Sequence, residues 1–356
     1  MIAIDTVELH RLRVPLVTPY KLAFGPVTHF DTILVELRGD GRQGIGEATL
    51  LTGYTDETID GAWSFVTEIG PRLRGRAPDS IEGFLAPHLD ANPFAVTALH
   101  SAAEMLSDCP LLRVPAPTRL PLLGLLNAMD EAQIPAEIDA LIAAGYRTLK
   151  IKVGFDADAD ARRVRSIQRA VAGRATLRLD ANQGYGREDA CRFAAALAPE
   201  GIELFEQPCA ANDWDAAVAV ARVSTVPVML DESIYGVEDI ERAAELGAAR
   251  FVKLKLMKLG GLARLERSLR LIRTLGMEPV LGNGVACEPG CWMEACVART
   301  TIDNAGEMNG YLKPARTLLA QPIPTENGAM ILNPDFVPTL DRDALAAVRT
   351  DHRLHR

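Results

Sequence analysis

Charged residues close a series of short apolar runs at a nearly constant step through the middle of the chain. Lys150 and Lys152 stand in TLKIKV, Asp180 in LRLDANQ, Glu206 in LFEQP, Asp231 in VMLDES and Lys255 in VKLKLMKLGG. From Lys152 onward the steps are 28, 26, 25 and 24 residues. Each run is the length of one buried strand, and the stretches between them, such as ADARRVRSIQRAVAG and LARLERSLRLIRTLG, carry helical spacing. Strands and helices alternating at this period predict βα units and a parallel sheet. Adding LPLLGLL before the series, and EPVLGN and AGEMN after it, makes eight candidate strands, which fit a (β/α)8-like barrel. The last unit is irregular, because AGEMNGYLKPARTLLAQPI lacks a long helix. In such barrels functional residues gather at the C-terminal strand ends.

That placement gives the charges a chemistry. Asp180, Glu206 and Asp231 fall on three successive strands, and three converging oxygen ligands suit a hard divalent cation such as Mg2+. Lys150 and Lys152 are two apart, so their ammonium groups leave the strand on one face. Lys152 and Lys255 come from strands on opposite sides of the carboxylate trio. A lysine base acts in its neutral form, and a neighbouring ammonium lowers lysine pKa. Lys150 is placed to do this to Lys152, and Lys253 to Lys255; Lys258 reads as a loop residue. Asn182 either assists the site or caps the turn after Asp180. Metal and amine together point to removal of a proton α to a carboxylate through an enediolate.

Composition removes several other classes. At 48% hydrophobic and 24% charged the chain expects an ordinary globular core. It shows neither a bilayer-length apolar run nor a signal-peptide pattern, so a cytoplasmic location is expected. A net charge of −9 offers no footprint for nucleic acid. None of the six histidines lies between residues 101 and 351, which argues against Ser-His-Asp hydrolysis and His-ligated zinc in the barrel. Cys287, Cys291 and Cys296 cluster without a CxxC pair and read as buried small apolar residues. Ahead of the barrel, IDTVELHRLRVPL, DTILVELRG and GIGEATL read as strands and residues 56–108 as helices, an α+β unit. PLLRVPAPTRL, with its three prolines, marks a boundary.

The motifs KIK, LDANQGY, FEQP, LDES and KLKLMKLGG, with DGRQGIGEA near the N-terminus, together resemble the mandelate racemase and muconate lactonizing branch of the enolase superfamily. The lysine arrangement resembles the lactonizing subgroup, which includes cycloisomerases, o-succinylbenzoate synthases, N-succinylamino acid racemases and dipeptide epimerases. The resemblance implies an α/β fold: a (β/α)7β-type TIM barrel with an N-terminal α+β capping domain. It implies a cap over residues 1–115, a catalytic barrel over 116–325, and a tail over 326–356 packing back on the cap. It implies Asp180, Glu206 and Asp231 as ligands of Mg2+ (Mn2+ as a substitute), Lys152 and Lys255 as acid/base groups, and a homo-oligomer. Glu307 matches the acid of the lactonizing enzymes' last strand, while Asn309 stands where they carry an aromatic residue. Substrate contacts are expected from Tyr20 and Phe24 in the segment 18–29, Tyr54 in the segment 50–58, and Asn283, Glu288, Glu307 and Asn309.

The expected partner is a small-molecule carboxylate, with no nucleic acid and no membrane. The expected outcome is racemisation, epimerisation or cycloisomerisation of a small carboxylic acid or amino-acid derivative. Dehydration by syn elimination is the alternative on the same scaffold. A Schiff-base lysine aldolase would need an apolar lysine pocket without metal, which three carboxylates oppose. A barrel that only binds a ligand is the non-enzymatic alternative.

Overall fold

The structure is a computed structural model that describes residues 3–22, 25–51 and 55–356, with side chains undescribed at 20–22 and 25. The N-terminal strands β1 (Thr6–Leu22), β2 (Gly25–Gly39) and β3 (Arg42–Leu50) form an antiparallel meander. Asp40 and Gly41, both at positive φ, make the tight turn between β2 and β3. Alternation along β1 buries Val7 and Leu9 against the helices Ile59–Ile69 and Pro93–Leu106. The second helix lies directly on β3: a Cβ at Gly46 would stand 2.0 Å from Ala98 O, so only glycine permits the approach. Within the segment 18–29, the described residues 18–22 and 25–29 are strand. β1 and β2 continue pairing past a register shift between Pro15 and Tyr20.

The strands β4 (Thr118–Pro121) and β5 (Gly124–Leu126) lead into β6 (Thr148–Lys152), β7 (Thr176–Asp180), β8 (Ile202–Glu206), β9 (Val228–Leu230), β10 (Phe251–Leu254) and β11 (Glu278–Leu281). β5 to β11 form one parallel sheet in sequence order, with helices in the intervening connections. Alternation sorts the residues. Leu149, Ile151, Leu177, Leu179 and Phe205 pack in the core formed with the helices, whereas Leu204, Met229 and Val280 form a separate small cluster.

AGEMN, expected as an eighth strand, is not regular. Gly306 N donates to Pro121 O (2.9 Å), Leu123 N to Gly306 O (3.0 Å) and Glu307 N to Leu281 O (3.0 Å). Pairing stops there, because Asn309 N turns back to Glu307 O at 2.7 Å. The close passage depends on Gly282, at φ +134°, where a Cβ would meet Met308 N at 2.5 Å.

Beyond the sheet, β12 (Thr325–Glu326) and β13 (Ala329–Leu332) extend from β4. After the helix Arg342–Val348, β14 (Arg349–His355) pairs antiparallel with β1. The fold is thus α/β, with a curled parallel sheet and a separate antiparallel sheet. No described helix is long and apolar enough to cross a membrane.

Candidate active site

The strands β6, β7 and β8 end level with one another. Lys152 pairs in register with Asp180, and Asp180 with Glu206. Asp231 follows β9 directly, and Lys255 is the extended residue before the helix Leu256–Leu259. Residues two apart share a face, so Lys253 and Lys255 repeat the Lys150 and Lys152 arrangement.

Lys150, Lys152, Asp180, Asp231, Lys253, Lys255 and Glu307 line one cavity. Lys150 Nζ lies 2.8 Å from Asp180 Oδ2, 2.8 Å from Glu206 Oε2 and 3.0 Å from Glu307 Oε1. Lys253 Nζ lies 3.0 Å from Glu206 Oε1 and 3.3 Å from Asp231 Oδ2, and it donates to Glu307 Oε2. Lys152 Nζ contacts Asp180 Oδ2 at 2.6 Å and donates to Asn182 Oδ1; Lys255 Nζ contacts Asp231 Oδ2 at 2.8 Å. Each outer lysine therefore touches one end of the carboxylate trio, while Lys150 and Lys253 sit within it.

Burial opposes the charges of Lys150, Lys253, Asp180 and Glu206, and the neighbours decide the outcome. Burial alone would lower Lys150, but Asp180, Glu206 and Glu307 hold its pKa well above the usual lysine value. Lys253 is raised in the same way against its burial, chiefly by Glu206 and Glu307. Asp180, despite burial, is held down at about 2 by Lys150, Lys152 and Lys253. Glu206 goes the other way, to about 7, because burial and the Asp180 charge outweigh Lys150 and Lys253.

Asp180, Glu206 and Asp231 fit a hard divalent cation. All three are buried carboxylates bridged by shared ammonium groups. Glu206 Oε2 is in ion-pair contact with Lys150 but accepts no aligned hydrogen bond. Oxygen donors of this kind suit Mg2+.

Several residues that hold the site were not picked out in the sequence. Gln207, at φ +37°, links two strand ends: its Oε1 accepts from Asp231 N (3.0 Å) and Ser233 N (3.2 Å), and its Nε2 donates to Ser233 Oγ (2.8 Å) and Cys209 O (3.0 Å). Lys258, expected in a loop, is buried in the helix Leu256–Leu259. It donates to Asp231 O (2.8 Å) and Ile234 O (3.0 Å), which fixes the Asp231 loop. Burial brings its pKa down to about 8. Arg178, two before Asp180, pairs with Glu203 and donates to Ala305 O (2.9 Å), tying β7 to the segment that carries Glu307. Gln207 lies inside FEQP, and Arg178, two before Asp180 on β7, shares its strand face.

The expected substrate contacts divide. Asn283 and Glu307 line the cavity, although Asn283 Oδ1 is already engaged by Val285 N (2.9 Å). Asn182, at φ +41°, lines it too, with Nδ2 donating to Glu232 Oε1 (2.9 Å). Asn309 does not line it; its Nδ2 donates to Leu123 O at 3.1 Å. Glu288 Oε1 accepts from Leu318 N instead (3.1 Å). Phe24, Tyr54 and the side chain of Tyr20 lie outside the described residues.

Strands of a parallel sheet delivering buried acids and paired lysines to one cavity define a class of α/β enzyme. A family model described as enolase C-terminal domain-like matches residues 133–336. An L-Ala-D/L-Glu epimerase of Clostridium acetobutylicum is 33% identical over 314 residues, covering 83% of this chain and 84% of that protein. Muconate lactonizing enzyme from Pseudomonas fluorescens, solved with muconolactone, superposes with a TM-score of 0.87 at 28% identity, over 98% of this chain and 99% of that one. A dipeptide epimerase from Cytophaga hutchinsonii, solved with Mg and the dipeptide D-Ala-L-Val, has a TM-score of 0.89 at 24% identity, over 99% of each chain, which speaks to the fold. The chain belongs to the enolase superfamily and is an enzyme of its mandelate racemase/muconate lactonizing type.

Proposed function

We propose that this enzyme removes and returns the proton α to a carboxylate, through an enediolate, in a racemisation, epimerisation or cycloisomerisation. The substrate is a small carboxylic acid or amino-acid derivative. One observation carries the reading: three buried carboxylates delivered by consecutive strands, with one lysine against each end of the trio and both lysines, Asp180 and Asp231 lining one cavity.

Asp180, Glu206 and Asp231 would hold Mg2+, or Mn2+ in its place, which supplies positive charge to the substrate carboxylate. Lys152 and Lys255 approach from strands on opposite sides, so each serves one face of the α-carbon. Lys150 stays charged and holds Asp180 and Glu206 in place. Glu307 anchors Lys150 and Lys253 from the far side. The backbone links of Gly306 and Glu307 to Pro121, Leu123 and Leu281 support reading the parallel sheet as a (β/α)7β-type barrel. We divide the chain into a cap over 1–115, a barrel over 116–325 and a tail over 326–356 that returns to the cap. Six free thiols suit a reducing compartment, consistent with a cytoplasmic enzyme. A homo-oligomer is expected, and light scattering measures its size.

The test is α-proton exchange in D2O with Mg2+, followed by NMR and chiral analysis, over N-acylamino acids, dipeptides, proline derivatives and muconates. A substrate should lose its α-proton signal. Lys152→Ala or Lys255→Ala should cut the exchange by on the order of 10²–10⁴-fold, the usual contribution of one acid/base group. Exchange that survives both substitutions would remove the two-lysine mechanism.

A further inference from the structure

The capping sheet holds a second group of chemically capable side chains, remote in sequence from the strand-end site. Glu8 and His10 are two apart on β1, so they share a face. His352 of β14 stands directly opposite His10, and Glu36 of β2 directly opposite Glu8. Val7 and Leu9, on the other face, belong to the cap core. A strand from the beginning of the chain and one from its end thus present two imidazoles and a carboxylate to the same point.

The geometry there is that of a ligand set. The two imidazole rings stack, with centroids 5.0 Å apart and planes at 24°. Glu8 Oε1 is 3.0 Å from His352 Nε2 and 3.8 Å from His10 Nε2, and one ligand atom from each of the three residues lies within 4.8 Å of the other two. Zinc bonds of about 2.0–2.1 Å place tetrahedral ligands roughly 3.3 Å apart, and the two Glu8 separations bracket that value. Arg38 Nη2 donates to Glu8 Oε2 at 3.1 Å, leaving Oε1 to face the rings. Such outer contacts orient a ligating carboxylate. His10 Nε2 also lies 3.0 Å from Glu36 Oε1. Glu36 keeps Arg342, Arg38 and Gln43 as partners if His10 turns its lone pair to a metal. His10 is fully buried, while the His352 side chain is 33% exposed, so the group opens to solvent for entry and for a water ligand.

We infer that Glu8, His10 and His352 form a binding site for a borderline transition-metal ion of the zinc class, which clips β14 to β1. Imidazole nitrogen selects such ions over Mg2+, so this site is chemically separate from the carboxylate trio. The metal joins positions at opposite ends of the chain and stabilises the docked tail in proportion to its concentration.

The full-length protein, saturated with Mg2+ to occupy the carboxylate site, is titrated with Zn2+ by calorimetry and with Co2+ by visible absorption. One equivalent of Zn2+ should bind, the thermal midpoint should rise with Zn2+, and Co2+ should give a ligand-field band. Affinity should drop at least 10-fold in His352→Ala and in Glu8→Gln, and stay unchanged in His355→Ala, whose imidazole lies on the same strand outside the group. Circular dichroism checks that each variant is folded, and Glu8→Gln keeps the side chain's size. No second equivalent, or an equivalent that survives both His352→Ala and Glu8→Gln, overturns the site and leaves a hydrogen-bonded network.

Discussion

Lys253 places a positive charge among the carboxylates proposed to hold a cation. Its buried ammonium touches Glu206 and Asp231, two of the three proposed cation ligands, and Glu307. Removing one partner of a buried ion pair costs about 3–5 kcal/mol, because the charges left behind are uncompensated. Lys253→Met should therefore lower the thermal midpoint of the metal-free protein. A divalent cation restores positive charge to the same oxygens, so Mg2+ should raise the midpoint more in the variant than in the wild type. Equal Mg2+ shifts in differential scanning calorimetry would contradict this account. Gln207 acts on Asp231 through the backbone rather than through charge. Gln207→Ala frees the N–H groups of Asp231 and Ser233, and Mg2+ affinity should fall about 10–100-fold, the usual cost of losing an outer contact. Isothermal titration reads this directly, and an unchanged affinity would assign Gln207 to folding alone.

At the scale of elements, carboxylates from one unit cap helices of the other. Glu47 of β3 accepts from Cys287 N (2.7 Å) and Gly290 N (2.8 Å), at the start of the helix Glu288–Thr301. Glu104, on the helix Pro93–Leu106, accepts from Leu262 N (2.7 Å) and Ala263 N (3.0 Å), at the start of the helix Leu262–Thr274. Helix N-termini leave N–H groups that need acceptors, so the N-terminal elements are attached where the helices of the parallel sheet are least satisfied. Burial is the largest influence on Glu47 and raises its pKa to about 7. A carboxyl raised above its unfolded value favours the fold while protonated and withdraws that support as pH rises. Stability contributed by Glu47 should thus fall between about pH 4.5 and 7, by on the order of 3 kcal/mol. Glu47→Gln cannot ionise, and its denaturant midpoint should decline less over that window. A parallel decline in both proteins would rule Glu47 out as the source. On the other side of the sheet, Gly282→Ala forces a Cβ at positive φ against Met308 N. A loss of about 3 kcal/mol is expected in denaturant unfolding, the upper range for such backbone strain.

Across the whole molecule, the two ends of the chain meet in the capping sheet through β1 and β14, and β13 returns to β4 beside the parallel sheet. With Glu47 and Glu104 crossing between the units as well, neither unit has a complete surface of its own. Calorimetric unfolding should show one transition, with van't Hoff and calorimetric enthalpies in agreement. Two resolved transitions would mean that the cap and the parallel sheet melt independently.

Much of this was legible in one dimension. The steps between Lys152, Asp180, Glu206, Asp231 and Lys255 dictate parallel strands, because apolar runs joined by helical stretches can be buried in few other ways. Period-two alternation then sends those charges to one side. What tertiary structure decided lies between residues far apart in sequence. The sharing of Lys150 and Lys253 among four carboxylates, the cross-links made by Gln207 and Arg178, and the turn that interrupts AGEMN after Glu307 all depend on neighbours brought close by folding. No spacing rule encodes a contact between positions 178 and 305, or one between 8 and 352. Residue type and spacing set which chemical groups arrive at the strand ends. The packed structure decided which of them touch, because burial and proximity to other charges exist only once the chain is folded.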